Sequence, residues 1–198
     1  MTEPTDQPLL RIDRRDDGVV LATLDRPKVN ALDAALLHEI EAMALACSED
    51  PPGAVVITGA GRMFAAGAEL AGFADPALRG AQANVFRSAF AAVERIPCPT
   101  IAAVNGYAVA GGLERALACD IRIASENAQF GCFEIRRGLP NPPDPLIRLV
   151  GFGPALHMLL SGDLIDAQEA LRIGLVTKVV SAKELIPTVG ELAARMGE

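Results

Sequence analysis

The sequence predicts an α/β fold, and three observations predict it. Short apolar strands alternate with segments of helical period along most of the chain. The run Ala54–Thr58 (AVVIT) is apolar without alternation, as a strand buried on both sides is. Half of the 198 residues are apolar, which is enough to bury the core of one sizeable domain and excludes a disordered chain. A single domain over residues 1–198 is the expectation.

The elements follow in order. Residues 9–13 and 18–24 read as two strands joined by a polar turn at Asp16, Asp17 and Gly18. Asp33 is placed to cap a helix over 34–47, where Leu36, Leu37, Ile40, Met43, Ala44 and Cys47 keep the helical period. Pro51, Pro52 and Gly53 end it, and residues 54–58 form the buried strand. A loop is expected over 59–70, a helix within 76–95, and a strand over 100–104 that Asn105-Gly106 punctuates. A short helix over 111–118 and a strand over 121–124 come next. In the last third, Asp144-Pro145 reads as an N-cap with proline at the first helical position. Gly153-Pro154 opens another helix. Asp166 with Glu169, and Ser181 with Glu184, have capping-box spacing. Gly174 ends the first of these helices, and 176–180 is the strand between them.

The net charge of −7, with no cluster of Lys and Arg, argues against nucleic acid as a partner. No apolar run reaches the roughly 18–20 residues of a membrane span, and the N-terminus has the features of neither a signal nor a transit peptide. The cysteines Cys47, Cys98, Cys119 and Cys132 lack CxxC spacing and are expected as reduced core thiols. His38 lies off the apolar stripe of its helix and His157 has no acidic partner at ligand spacing, so no metal site is expected. A cytoplasmic protein fits these features.

Four clusters could carry chemistry. Gly59 and Gly61 make a GxG after a strand, but Phe64 stands where a dinucleotide-binding turn needs its third glycine. The turn Phe64-Ala65-Ala66-Gly67-Ala68-Glu69-Leu70 has small side chains that let a ligand approach the backbone, or it is an ordinary tight turn. In the segment 105–114, Gly111 and Gly112 open a helix whose free N–H groups suit a developing oxyanion; close helix packing is the other reading. Glu114 lies one turn beyond Gly111, on nearly the same side. Glu134 follows a strand among apolar residues, where a desolvated carboxyl suits acid–base work, although Arg136 and Arg137 beside it also fit a solvated loop.

Taken together, these clusters resemble the crotonase family, the enoyl-CoA hydratase/isomerase superfamily, over nearly the whole chain. The residues that carry the resemblance are Leu24–Leu32 (LDRPKVNAL), Val56–Gly59, Phe64–Leu70, Ala102–Glu114, Cys119-Asp120, Ala128–Gly131 and Gly174–Lys178. The resemblance implies an α/β spiral of ββα turns, here with a shortened helical C-terminal part, usually assembled as a trimer or a pair of trimers. It implies that the N–H groups of Ala68 and Gly111 form an oxyanion hole. It also implies that Ala66, Gly67 and Ala68 cradle the adenine end of coenzyme A, with Lys28 near its phosphates. Glu114 and Glu134 correspond to the two glutamates that hydrate trans-2-enoyl-CoA, a lyase reaction of fatty acid metabolism. Coenzyme A enters as part of the acyl-CoA substrate, and no separate cofactor is expected. Two departures stand out. The stretch Gly138-Leu-Pro-Asn-Pro-Pro-Asp-Pro145 replaces a longer Gly-rich stretch, and the family's C-terminal helices, which help close the pocket and build the trimer, are expected to be missing. The expected function is enoyl-CoA hydration. The alternatives are an isomerase of the same fold, which needs one carboxylate, and a non-catalytic acyl-CoA-binding relative. Phe73 and Leu113 are expected among the pocket walls.

Overall fold

The computed structural model describes residues 8–68, 79–139 and 141–197. The two N-terminal strands, β1 (Leu10–Arg14) and β2 (Val19–Leu24), pair antiparallel around the turn that Gly18 closes. Strands β3 (Ala54–Gly59), β5 (Thr100–Val104), β7 (Ile121–Ser125) and β10 (Lys178–Val180) then add in parallel, giving the order β1-β2-β3-β5-β7-β10.

This sheet is covered on both faces, which is why β3 and β5 show no polar alternation. Val55, Ile57, Ala102 and Val104 face a core completed by helices α1 (Ala34–Glu49) and α2 (Arg79–Glu94). Ala54, Val56, Ile101 and Ala103 face the other way, onto Leu185, Val189 and Ala193 of the C-terminal helix α7 (Leu185–Met196). The spacing of those three residues places them on one helix face. In α1, all six residues that keep the helical period are buried, and the Asp33 carboxylate accepts from Leu36 N at 2.9 Å.

A second sheet carries the site. Its strands are β4 (Met63–Ala65), β6 (Tyr107–Val109), β8 (Gln129–Gly131) and β9 (Ile165–Asp166), the first three parallel. All four strands are only two or three residues long, and β4 also shifts register against β6, so their sequence signal is weak. β4 lies within the stretch 59–70 expected as loop, and residues 69 and 70 fall outside the described residues, as do Phe73 and residues 76–78 of the expected second helix.

The remaining helices are α3 (Gly111–Leu117), α4 (Asp144–Val150), α5 (Phe152–Ser161) and α6 (Ala167–Arg172). Asp166 caps α6, accepting from Glu169 N at 2.8 Å, and Gly174 follows that helix with φ +82°. Two expected caps differ. Asp144 lies inside α4, whose N-cap is Pro143; Pro143 already has helical backbone angles (φ −78°, ψ −28°), so the helical conformation begins one residue early. Ser181 does not cap α7. Its hydroxyl donates to the Glu184 carboxylate at 2.7 Å, and α7 starts after Glu184. All four cysteines are free; three are buried and Cys98 is half-buried. Among the described residues, no helix is long and apolar enough to cross a membrane.

Candidate active site

Parallel strands deliver their C-terminal ends to one edge, which is where open α/β sheets place ligands. Here β4, β6 and β8 end at Ala65, Val109 and Gly131. They lead into the turn 66–68, the start of α3, and the 3-10 turn Phe133–Arg137 that holds Glu134. Ala110 N donates to Gly131 O at 2.9 Å and ties the second of these ends to the third.

The first two ends meet closely. A Cβ added at Gly67 would lie 2.7 Å from the Ala110 Cβ and 3.0 Å from Gly111 N, and Gly67 has φ +85°. A Cβ at Gly111 would lie 3.6 Å from Ala68 N. The N–H groups of Ala68 and Gly111 therefore flank one small space. Among the described residues neither donates to a backbone carbonyl, whereas Ala110, Leu113 and Glu114 all do. Ala110 itself has φ +52° and ψ −132°, a conformation costly for alanine, which turns the chain into α3. Gly112 is required for a different reason: a Cβ there would lie 2.1 Å from Ala65 O, so α3 could not sit against β4.

Two asparagines hold the neighbouring loops. Asn30 is buried, and its amide donates to Ala60 O at 3.1 Å and Met63 O at 2.9 Å while its Oδ1 accepts from Arg26 N. Asn105 accepts from Gly59 N at 3.2 Å and donates to Gly61 O at 3.0 Å. The segment with Lys28 and Val29 reaches the 66–68 turn, since Ala66 N donates to Val29 O at 3.1 Å and Leu32 N to Gly67 O at 2.8 Å. Lys28, next to Val29 in the sequence, is exposed.

A cavity of about 740 Å³ opens at this edge. Ala68, Gly111, Glu114 and Glu134 line it together, with Phe86 and Phe90 of α2 as an apolar wall. Leu113, expected among the pocket walls, is instead buried in the core and does not line the cavity. A second hollow, of about 450 Å³ near His157 and Arg172, contains none of these groups.

Burial pushes the Glu114 carboxyl up to about 7, and the neighbouring Glu134 charge and a hydrogen bond to Glu134 add to the rise. Burial also raises Glu134, but its own backbone N–H, the Asn141 amide and Glu114 hydrogen-bond its carboxylate and oppose the rise. The two raised carboxyls share the cavity and titrate as a coupled pair. Glu134 Oε2 is buried with no hydrogen-bond partner among the described residues. Cys132, beside both carboxyls, is pushed up to about 12 by burial and then by Glu134 and Glu114, so its thiol stays protonated. Among the described residues, no group of three or more His, Cys, Asp or Glu side chains is placed to hold a metal ion.

The family model described as enoyl-CoA hydratase/isomerase matches residues 14–198. The chain belongs to the enoyl-CoA hydratase/isomerase family. Within that family it is 40% identical over 192 residues to a crotonyl-CoA hydratase of Syntrophomonas wolfei, covering 92% of this chain and 73% of that protein. It is 39% identical over 190 residues to a short-chain-enoyl-CoA hydratase of Clostridium acetobutylicum, with the same coverage. Among solved structures, Pseudomonas aeruginosa DspI superposes with a TM-score of 0.92 at 38% identity, covering 99% of this chain and 83% of that one. An enoyl-CoA hydratase from Bacillus anthracis gives 0.90 at 36%, covering 95% and 76%. The family's ββα spiral thus agrees with the observed parallel sheets.

Two features of the site escaped the sequence reading. Asn141 was only part of a proline-rich wall, although it is the one side-chain amide between Gly138 and Pro145. Arg115, next to Glu114, is fully buried, and its three guanidinium nitrogens have no hydrogen-bond partner among the described residues.

Proposed function

We propose that this chain is an enoyl-CoA hydratase that adds water across the 2,3 double bond of an enoyl-CoA thioester. The observation that carries this reading is the pair of carboxyls, Glu114 and Glu134, sharing one cavity with the N–H groups of Ala68 and Gly111. The thioester carbonyl accepts from those two N–H groups. As water adds to the β-carbon, electron density moves through the double bond onto the thioester oxygen, where the two donors stabilise the enolate. One such donor is worth roughly 10²–10³ in rate.

The carboxyl pair handles the protons. The ionised member takes a proton from the attacking water, and the protonated member delivers one to the α-carbon as the carbonyl re-forms. A pair holding one proton near pH 7 can do both without first exchanging with solvent. The coenzyme A part runs past Ala66 and Gly67, with Lys28 on the phosphate side. No cofactor takes part.

The same reading includes a homo-oligomer, supported by the exposed apolar side chains Phe152 and Leu160 on α5. It also includes a cytoplasmic setting, with which the four free thiols are compatible. Loss of the conjugated enoyl-thioester absorbance of crotonyl-CoA, with 3-hydroxybutyryl-CoA identified as product, tests the function. An isomerase would instead convert a 3-enoyl-CoA to the 2-enoyl form and leave crotonyl-CoA unchanged.

A further inference from the structure

Beyond the carboxyl pair the cavity continues along two helices. On α3, Gly111, Glu114, Leu117 and Ala118 all line it, and at 1.5 Å per residue the last of these lies ~10 Å past the first. On α2, Phe86 meets the start of α3: a Cβ added at Gly111 would lie 3.1 Å from its ring. Phe90 packs edge-on against Phe86, with ring centroids 5.7 Å apart. Ala91 and Glu94 then carry the lining ~12 Å along α2 from Phe86.

In the hydratase reading the thioester oxygen sits at Gly111, and the carbon that takes the water sits at Glu114. The order along α3 therefore gives a direction: carbons beyond the double bond run toward Leu117 and Ala118. A crotonyl chain ends one carbon past the hydrated one and leaves this last turn unfilled. The lining there suits hydrocarbon. Phe90, Ala91, Leu117 and Ala118 present a phenyl ring, methyl groups and an isobutyl group. The wall from Leu139 to Pro145 adds the rings of three prolines, which bring no N–H that a hydrocarbon would desolvate. Two of the lining residues are alanines where a larger side chain would fill the space. Ala91 is half-buried on α2. Ala118 ends α3 with φ −73° and ψ −8°, angles open to any L side chain.

We propose that this stretch is an acyl-tail slot whose reach is set by Ala91 and Ala118. The preferred substrates are straight, uncharged 2-enoyl-CoA thioesters longer than crotonyl-CoA, from hexenoyl to decenoyl. The proposal rests on the hydratase reading and names its substrate class. The slot reaches solvent at Glu94, whose exposed carboxylate disfavours a tail that ends in an acid. Arg87, the cation on the same helix, follows Phe86 at the thioester end and is hydrogen-bonded to Asn84.

The test is kcat/KM of the whole chain on trans-2-enoyl-CoA thioesters from crotonyl to decenoyl. Each methylene buried in the slot is worth up to ~4-fold, so with partial burial kcat/KM should rise by ~10-fold or more from crotonyl-CoA to octenoyl-CoA. Ala91→Leu and Ala118→Leu each put an isobutyl group into the slot. Each should cut the ratio of the decenoyl-CoA to the crotonyl-CoA kcat/KM by ~10-fold or more. Taking the ratio within one variant removes any loss of folded protein. Calorimetry with butyryl-CoA, octanoyl-CoA and decanoyl-CoA reads the slot without chemistry. Affinity should rise with length in the parent and lose that rise in both variants. A parent whose kcat/KM and affinity stay flat or fall with length overturns the proposal, as does a parent-like ratio in either leucine variant. If the parent hydrates no enoyl-CoA, the hydratase reading fails, and the saturated thioesters still decide whether the slot takes a tail.

Discussion

Glu114→Gln should make the folded protein more stable at alkaline pH while removing activity. In the fold the Glu114 carboxyl is raised from 4.5 to about 7, chiefly by burial. The unfolded chain therefore gives up this proton at lower pH than the folded chain does. Below pH 4.5 both states are protonated and no cost arises. As pH rises from 4.5 to about 7 the folded state binds more protons than the unfolded one, so stability is lost across that window and stays lost above it. The window spans about 2.5 pH units, and at ~1.4 kcal/mol each the full cost is ~3 kcal/mol. Partial solvent access at the cavity mouth reduces this to ~1–3 kcal/mol. Glutamine keeps the shape, can donate to Glu134 and carries no charge. Urea unfolding at pH 8 should show the variant more stable by that amount, and at pH 5 the difference should shrink below ~1 kcal/mol. Equal stability of parent and variant at both pH values would refute the electrostatic account of the pair.

Four further outcomes follow from the same geometry. Glu134→Gln and Glu114→Gln should each slow crotonyl-CoA hydration by ~10² or more while calorimetry still detects binding of a saturated acyl-CoA; parent-like rates would dismiss the acid–base assignment. Gly67→Ala forces a Cβ to 2.7 Å from that of Ala110 at a φ of +85°, so it should lower both acyl-CoA affinity and melting temperature, and a variant with parent-like values of both would contradict the close-turn geometry. Asn30→Ala strips partners from the Ala60 and Met63 carbonyls and should cost ~2–4 kcal/mol in denaturant unfolding. Arg115→Leu replaces a buried, unpartnered cation by an apolar side chain and should stabilise the fold by ~1–4 kcal/mol; destabilisation would mean that the guanidinium has a partner beyond the described residues.

The large sheet and its helices were legible because long apolar runs and helical periods leave a strong pattern. The AVVIT strand, the six buried positions of α1 and the Asp166 cap all lie where that pattern puts them. The second sheet was not legible. Strands of two or three residues, such as Tyr107–Val109 and Ile165–Asp166, are too short to show a period, and spatial pairing rather than local preference makes them strands. Glu114 and Glu134 stood out through their neighbours, yet their approach depends on β6 and β8 running side by side, which no local pattern states. Arg115 stayed hidden because a lone arginine in a helix ordinarily reads as solvated. Ser181 shows the opposite error: correct capping spacing, but a hydroxyl committed to the Glu184 side chain instead of the backbone.

The central claim is that Glu134 and Glu114 place the elements of one water on an enoyl-CoA held by Ala68 and Gly111. The most direct test is to incubate the whole chain with crotonyl-CoA in water labelled with heavy oxygen and deuterium, then analyse the thioester by mass spectrometry. The account predicts a 3-hydroxybutyryl-CoA with one heavy oxygen on the β-carbon and one deuterium on the α-carbon, formed far more slowly by the Glu114→Gln and Glu134→Gln variants. Recovery of bound but unlabelled crotonyl-CoA, or deuterium without heavy oxygen beside a migrated double bond, would contradict it.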